Sequence, residues 1–300
     1  MSNAKEIKRK IGSIKNTAKI TKAMELISTV KMKKAQDLAM SKKEFVIEMM
    51  KIFGRVENFL TELPYFQSND SKKTLAVMIT SNKGLCGGYN INVMKKVSEY
   101  TKTHSDHSFE YVTLGKKATS FVVRTGNQLI ADYSPDFTDN IDTRFVKRLT
   151  ELLYERFMTG EYGKIVVFYS HFVNSIKQVA VAREFLPIDK AAIKSYLMSI
   201  IDDEDIITEI ETDVTDYIIE PSIEAIASEV IPMILDMMMY DVLLESKASE
   251  HSARMVAMKA AKDNAGKIAS QLTLAYNKAR QSMITKEVSE IVAGVESLKD

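Results

Sequence analysis

Two long stretches of this chain repeat their apolar positions every three and a half residues. From Ile7, alternating steps of four and three reach Ile11, Ile14, Ala18, Thr21, Glu25, Ser28, Met32, Ala35, Ala39, Lys42, Val46, Met49, Phe53, Val56, Leu60 and Leu63. Thirteen of these seventeen positions are apolar, which predicts a single heptad helix over residues 5–63. At 1.5 Å per residue it would reach on the order of 90 Å, too long for an ordinary globular domain. Pro64 stops it. The same step from Leu244 gives Ala248, His251, Met255, Met258, Lys262, Ala265, Ala269, Leu272, Tyr276, Ala279 and Met283. This second seam is narrow and made of small or flexible residues, so a partner helix can approach closely. A long helix of this kind must be covered by something.

Between the two stretches the period changes. A polar connector at 65–73 is followed by Leu75–Thr80, a continuous apolar run expected of a strand buried on both faces. Strands are further predicted at Phe109–Leu114, Gln128–Tyr133, Lys164–Phe172 and Ile176–Phe185, the last two joined as a hairpin. Helices are predicted at Ile91–Lys102, Lys116–Arg124 and over 141–158. This alternation indicates a largely parallel sheet with an antiparallel edge. Residues 187–213 are acidic and show no strong pattern. Asp216–Glu220 reads as a last strand, stopped by Pro221, and Ser222 then suits a helix N-cap with Glu224 in the first turn. From there a helical pattern runs almost to Asp300, with Pro232 expected to kink or interrupt it.

The predicted fold class is α/β plus a long coiled coil. Residues 1–63 form one helix, 74–220 an inserted Rossmann-like α/β domain, and 222–300 a second helix pairing antiparallel with the first. The pairing must be antiparallel because the insert returns the chain to its starting point.

Charge refines this picture. The net charge is +1, but residues 1–43 carry twelve Lys or Arg against Glu6, Glu25 and Asp37, whereas 188–221 carry ten acids against Lys190 and Lys194. Such polarity suits a place in a larger charged assembly. The lone Cys86 leaves no internal disulfide and fits a reducing compartment. The first residues contain no apolar signal core, and no run of eighteen apolar residues exists; Val230–Leu244 is interrupted by Pro232, Asp236 and Asp241.

Candidate chemistry is sparse. The loop Ser81–Asn90 (SNKGLCGGYN) lies between a strand and a helix, where phosphates bind, but its glycines do not have dinucleotide spacing. Gly115-Lys116-Lys117 lacks the remaining parts of a P-loop. A tight turn or backbone contact with a partner fits better. Cys86 has no positioned His and reads as a small buried residue. His104 and His107 have no third ligand nearby, and His251 falls on the seam. No cofactor is expected. The basic first helix would attract nucleic acid or acidic lipid, yet its apolar seam asks for a helix.

Three segments carry a resemblance. They are Arg9–Gln36 (RKIGSIKNTAKITKAMELISTVKMKKAQ), Gly84–Gly88 (GLCGG) and Ala248–Gly294, which includes ASEHSARMVAMKAA, YNKARQ and ITKEVSEIVAG. Together they closely resemble the gamma subunit of F-type ATP synthases over the full length. The resemblance implies an antiparallel coiled coil entering a ring of alternating alpha and beta subunits. It also implies an α/β domain beside the epsilon subunit and the c-subunit ring, and rotation that drives the catalytic sites through different conformations. The chain itself would then neither bind nor hydrolyse nucleotide. By the same resemblance Met24, Arg254, Gln281 and Thr285 would contact or couple to the catalytic ring, and Lys83, Tyr217 and Glu220 would lie at the foot near the c ring or epsilon subunit. Gly12, Asn82 and Met233 depart from the family, which usually has Arg, Asp and Arg there. The implied placement is peripheral, on the cytoplasmic face of a bacterial membrane, with neither nucleic acid nor direct membrane insertion involved. Two other readings stay open: a free-standing α/β nucleotide-binding enzyme with coiled-coil dimerisation arms, and a coiled-coil adaptor on nucleic acid or membrane.

Overall fold

Strand β1 (Lys73–Ile79) shows how the body is built, because its side chains feed two cores. Leu75, Val77 and Ile79 join one apolar cluster, and Ala76 and Met78 join another. This two-sided burial is what the unbroken apolar run predicts, since alternate residues point to opposite faces. The computed structural model describes residues 2–212 and 220–296. Five strands make one sheet in the order β3-β2-β1-β4-β5, with β2 at Ser108–Leu114, β3 at Gln128–Asp132, β4 at Lys164–Phe172 and β5 at Gln178–Leu186. β1 pairs parallel with β2 and β4, β2 pairs parallel with β3, and β5 is antiparallel to β4. The hairpin turn is closed by Asn174, whose Oδ1 accepts from the amides of Ile176 and Lys177 at 2.9 Å.

The helices are α1 (Ser2–Met40), α2 (Lys43–Val56), α3 (Tyr89–Thr103), α4 (Lys116–Arg124), α5 (Thr143–Met158), α6 (Lys190–Ile201), α7 (Glu204–Thr212) and α8 (Ile223–Glu296). Val93 and Val97 of α3 and Ala118 and Val122 of α4 cover one sheet face. The core on the other face draws on α2, α5, α6 and the first part of α8. The strands expected between residues 75 and 185 and the three central helices appear with ends shifted by at most two residues, and Lys164–Phe172 and Lys116–Arg124 match without a shift. Ser222 caps α8 as expected, its Oγ accepting from Ala225 N at 3.2 Å.

Two expectations change, and a segment left without an element gains two helices. The first helix is not continuous to residue 63. It breaks at Ser41–Lys42, where Lys42 leaves helical geometry (φ −109°, ψ 8°), and a 3-10 turn follows α2 at Glu57–Glu62. The reason lies in what the second half buries. Val46, Met49, Phe53, Val56 and Leu60 sit on the sheet-face core, so α2 belongs with the α/β body. The seam positions are still the inward ones; their partner is different. Pro232 does not interrupt α8, which is helical through it. The acidic segment 187–213 holds two helices that pack on α2. Asp189 caps α6 by accepting from Ala192 N at 2.6 Å, and Ile193, Leu197 and Ile201 give it a buried stripe. Of the expected strand Asp216–Glu220, residues 216–219 lie outside the described residues, and Glu220 is in a bend.

The chain packs as two units. One comprises Val30–Ala253; the other comprises the residues up to Thr29 together with those from Arg254 onward. The unit containing the sheet therefore extends past both expected helix–domain boundaries, because apolar residues of Val46–Leu60 and Ala227–Leu244 share a core with the strands.

Phe53 is 1% exposed in this core. Phe53→Ala should therefore destabilise the body by about 3–5 kcal/mol, measured by denaturant unfolding of the full chain.

Candidate functional site

In the unit formed by the two chain ends, the predicted seams are the covered positions. Ile7, Ile11, Ile14, Ala18, Thr21, Glu25 and Ser28 on α1 are buried or half-buried, as are Met255, Met258, Lys262, Ala265, Ala269, Leu272, Tyr276, Ala279 and Met283 on α8. Glu25 Oε2 accepts from Lys262 Nζ at 2.8 Å, while Ala18 lines one groove with Ala265, Gly266 and Ala269. Moving toward the N-terminus on α1 thus means moving toward the C-terminus on α8, so the helices run antiparallel. Small residues let them approach closely, and the Glu25–Lys262 ion pair spans the seam. The hydrogen bond to Glu25 raises the Lys262 ammonium above its ordinary value.

The candidate contact residues are strung along this coil. Met24 is half-buried beside the seam, and Arg254 is 8% exposed. Gln281 and Thr285 are exposed and lie one turn apart on one face of α8. Twenty-seven residues separate Arg254 from Gln281, about 40 Å along a helix, so no single pocket gathers them. Beyond Met283, Ile284, Val288, Ile291 and Val292 are 47, 53, 66 and 56% exposed. Their spacing of four, three and one residues places them on one stripe. Ile20, Leu26, Ile27 and Leu274 also point outward from the coil helices.

At the C-terminal end of β1 the loop 81–90 fills its own interior. Ser81 N donates to Asn90 Oδ1 at 2.9 Å, Ser81 Oγ donates to Lys83 O at 2.6 Å, and Asn90 Nδ2 donates to Cys86 Sγ at 3.1 Å. Gly115 sits so close that a Cβ would lie 2.1 Å from Thr80 O, and its φ of +98° also requires glycine. Asn82 explains its departure from the family pattern. Its Nδ2 donates to the carbonyls of Ser134 and Phe137 at 3.0 and 2.9 Å, and its Oδ1 accepts from Lys116 N at 3.0 Å. A carboxylate could make only the last of these. Lys83 and Glu220 are exposed, and Tyr217 lies outside the described residues. His107 meets Thr74 at 3.2 Å and His104 stacks on Tyr100 at 4.0 Å. Among the described residues no group of three His, Cys, Asp or Glu side chains could hold a metal, and no helix is long and apolar enough to cross a membrane.

The seam does not explain Ser246–Ser252, where every position of α8 is buried. Ser249 Oγ donates to Ser170 O at 2.8 Å, Ser252 Oγ donates to Ser175 O at 2.6 Å, and Tyr89 Oη donates to Ser246 O at 3.2 Å. His251, read as a seam position, instead meets Asp139 at 2.9 Å. Sequence reasoning missed this docking surface. Its one signal was a run of small and polar residues in a helix that had to be buried.

Two substitutions test these contacts. Asn82→Asp should cost about 1–3 kcal/mol in thermal unfolding, because two carbonyls lose their donors. Glu25→Leu should cost about 1 kcal/mol, since the pair is partly wet, while Glu25→Leu with Lys262→Leu should be neutral or stabilising by the same measurement.

A family model described as ATP synthase matches residues 3–298. The ATP synthase gamma chain of Flavobacterium psychrophilum is 35% identical over 302 aligned positions, covering 100% of both chains. That of Nitrosomonas europaea is 35% identical, covering 98% of this chain and 99% of its own. Among solved structures, a rotor chain of the Euglena gracilis mitochondrial ATP synthase has TM-score 0.63 at 18% identity, covering 94% of this chain and 99% of that one. A central stalk/c-ring chain from Tetrahymena thermophila has TM-score 0.56 at 24% identity, covering 81% and 99%. The structures share the fold; the match along the full length carries the assignment, and this chain belongs to the ATP synthase family, among its gamma chains.

Proposed function

We propose that this chain is the central-stalk rotor of an ATP synthase, coupling ion flow through a c-subunit ring to ATP synthesis and hydrolysis on alpha and beta subunits. The match to gamma chains from end to end carries this reading. The chain is not itself an enzyme, because catalysis resides in the beta subunits. Its physical contribution is asymmetry. Turning a two-helix coil inside a ring presents a different set of side chains to each catalytic subunit, so each conformation is stabilised in turn by differential contact.

The uncovered apolar stripe at Ile284, Val288, Ile291 and Val292 supports a surrounding sleeve, since such a stripe on a lone helix end would otherwise face water. Gln281 and Thr285 border it and would supply polar contacts with the ring, with Met24 and Arg254 acting further along the coil. Lys83, Tyr217 and Glu220 would face the c ring or epsilon subunit. The placement is peripheral, on the cytoplasmic face of a bacterial membrane. The nucleotide-binding alternative gains nothing from the loop after β1, whose polar groups bond to one another.

The test is reconstitution with alpha, beta, epsilon and membrane-sector subunits. The wild-type chain should be required for ion-driven ATP synthesis. Arg254→Ala should lower synthesis about threefold to thirtyfold in the assembled complex, with the far-UV spectrum of the chain unchanged. Unchanged synthesis would remove Arg254 from the coupling surface, and ATP hydrolysis by the isolated chain would overturn the rotor reading.

A further inference from the structure

One exposed loop carboxylate reaches both long helices. Asp139 lies between β3 and α5, and its Oδ2 accepts from Lys31 Nζ of α1 at 2.6 Å. Its Oδ1 accepts from His251 Nε2 of α8 at 2.9 Å and faces Lys247 Nζ, one turn earlier, at 3.8 Å. A carboxylate held this low can only accept, so Nε2 carries the proton whether or not the imidazole is charged. The His251 hydrogen bond is the largest influence holding the Asp139 carboxyl well below its usual range, against partial burial and aided by Lys31 and Lys247.

The loop that carries Asp139 is fastened at its base. Phe137 is fully buried, its carbonyl and that of Ser134 accept from Asn82, and Thr138 Oγ1 donates to Asn140 O at 2.9 Å. Lys247 Nζ also lies 3.9 Å from the centre of the Phe137 ring and 3.3 Å from Glu250 Oε2. The route is therefore continuous: β1 to Asn82, Asn82 to the loop, and the loop through Asp139 to α1 and α8. All these residues lie in the unit Val30–Ala253.

An isolated surface ion pair would contribute little. This one differs because its two α8 partners are only 4 and 5% exposed, so withdrawing the carboxylate removes one counter-charge from the nearly dry Lys247 ammonium and an acceptor from the buried His251 Nε2–H. On the Lys31 side both side chains remain about two-fifths exposed. The contact holds direction more than it adds cohesion.

We infer that Asp139 is a positioning residue of the rotor, the carboxylate that fixes α1 and α8 together against the α/β body so that load passes between body and helices without slip. This rests on the rotor reading above. It names a contact internal to the chain.

The experiment uses the assembled complex in inverted membrane vesicles, comparing wild type with Asp139→Ala, Asp139→Asn, Asp139→Glu and Lys31→Gln. Ion-driven ATP synthesis and ATP hydrolysis are measured on each. Asp139→Ala should lower the ratio of synthesis to hydrolysis by about threefold to tenfold. Asp139→Glu should restore most of it, and Asp139→Ala with Lys31→Gln should be no worse than Asp139→Ala alone, because the two act through one contact. An unchanged ratio in Asp139→Ala would overturn the inference, as would additive losses in the double variant. Failure of both Asp139→Ala and Asp139→Asn to assemble would also overturn it, by making the residue merely structural. If the wild-type chain itself supports no synthesis, the rotor reading fails, and that outcome is separate from all of these.

Discussion

A 74-residue helix has no stability of its own in water, and how α8 is covered determines the rest of this molecule. Its first part, Ile223–Ala253, is covered by the sheet-face core and by serine contacts to the β4–β5 hairpin. From Met255 to Met283 one narrow stripe is covered in the coil formed by the chain ends. After that Ile284, Val288, Ile291 and Val292 stand exposed. One helix therefore meets four environments in turn, and its sequence changes along it: methionine-rich and apolar, then serine-rich and fully buried, then small residues on a seam, then an exposed apolar stripe.

The same logic explains the break in the first helical stretch. Its heptad spacing runs without interruption through Lys42, so period alone gives no reason to stop. The second half, however, presents Val46, Met49, Phe53 and Val56 to a wide core, whereas the first half presents alanine, threonine and serine to another helix. A turn at Ser41–Lys42 separates the two tasks. The helices α6 and α7 then pack on α2, so the side of α2 turned from the strands is covered as well.

Function in such a molecule is distributed rather than gathered. Asp139, whose carboxyl is held well below its usual range, is an anchor between a loop and two helices. The loop after β1, which in other α/β sheets would cradle a ligand at this position, is closed by Ser81, Asn82 and Asn90. A protein that transmits force needs stiff internal joints and graded outer surfaces, and both are visible here.

The sequence alone determined what short-range periodicity can encode: the seam positions on both coil helices, the strands of a two-sided sheet with an antiparallel edge, the cap at Ser222, and the family. These depend on residues within a few positions of each other. Tertiary structure decided where the first helix breaks, that Pro232 is carried inside α8, that an acidic stretch folds as two helices, and that His251 leaves the seam for Asp139. Lys31 and Asp139 are 108 residues apart in the chain, and Asp139 and His251 are 112 apart. No local pattern marks a partner at that separation, because the contact exists only after the sheet has brought the loop to the helices.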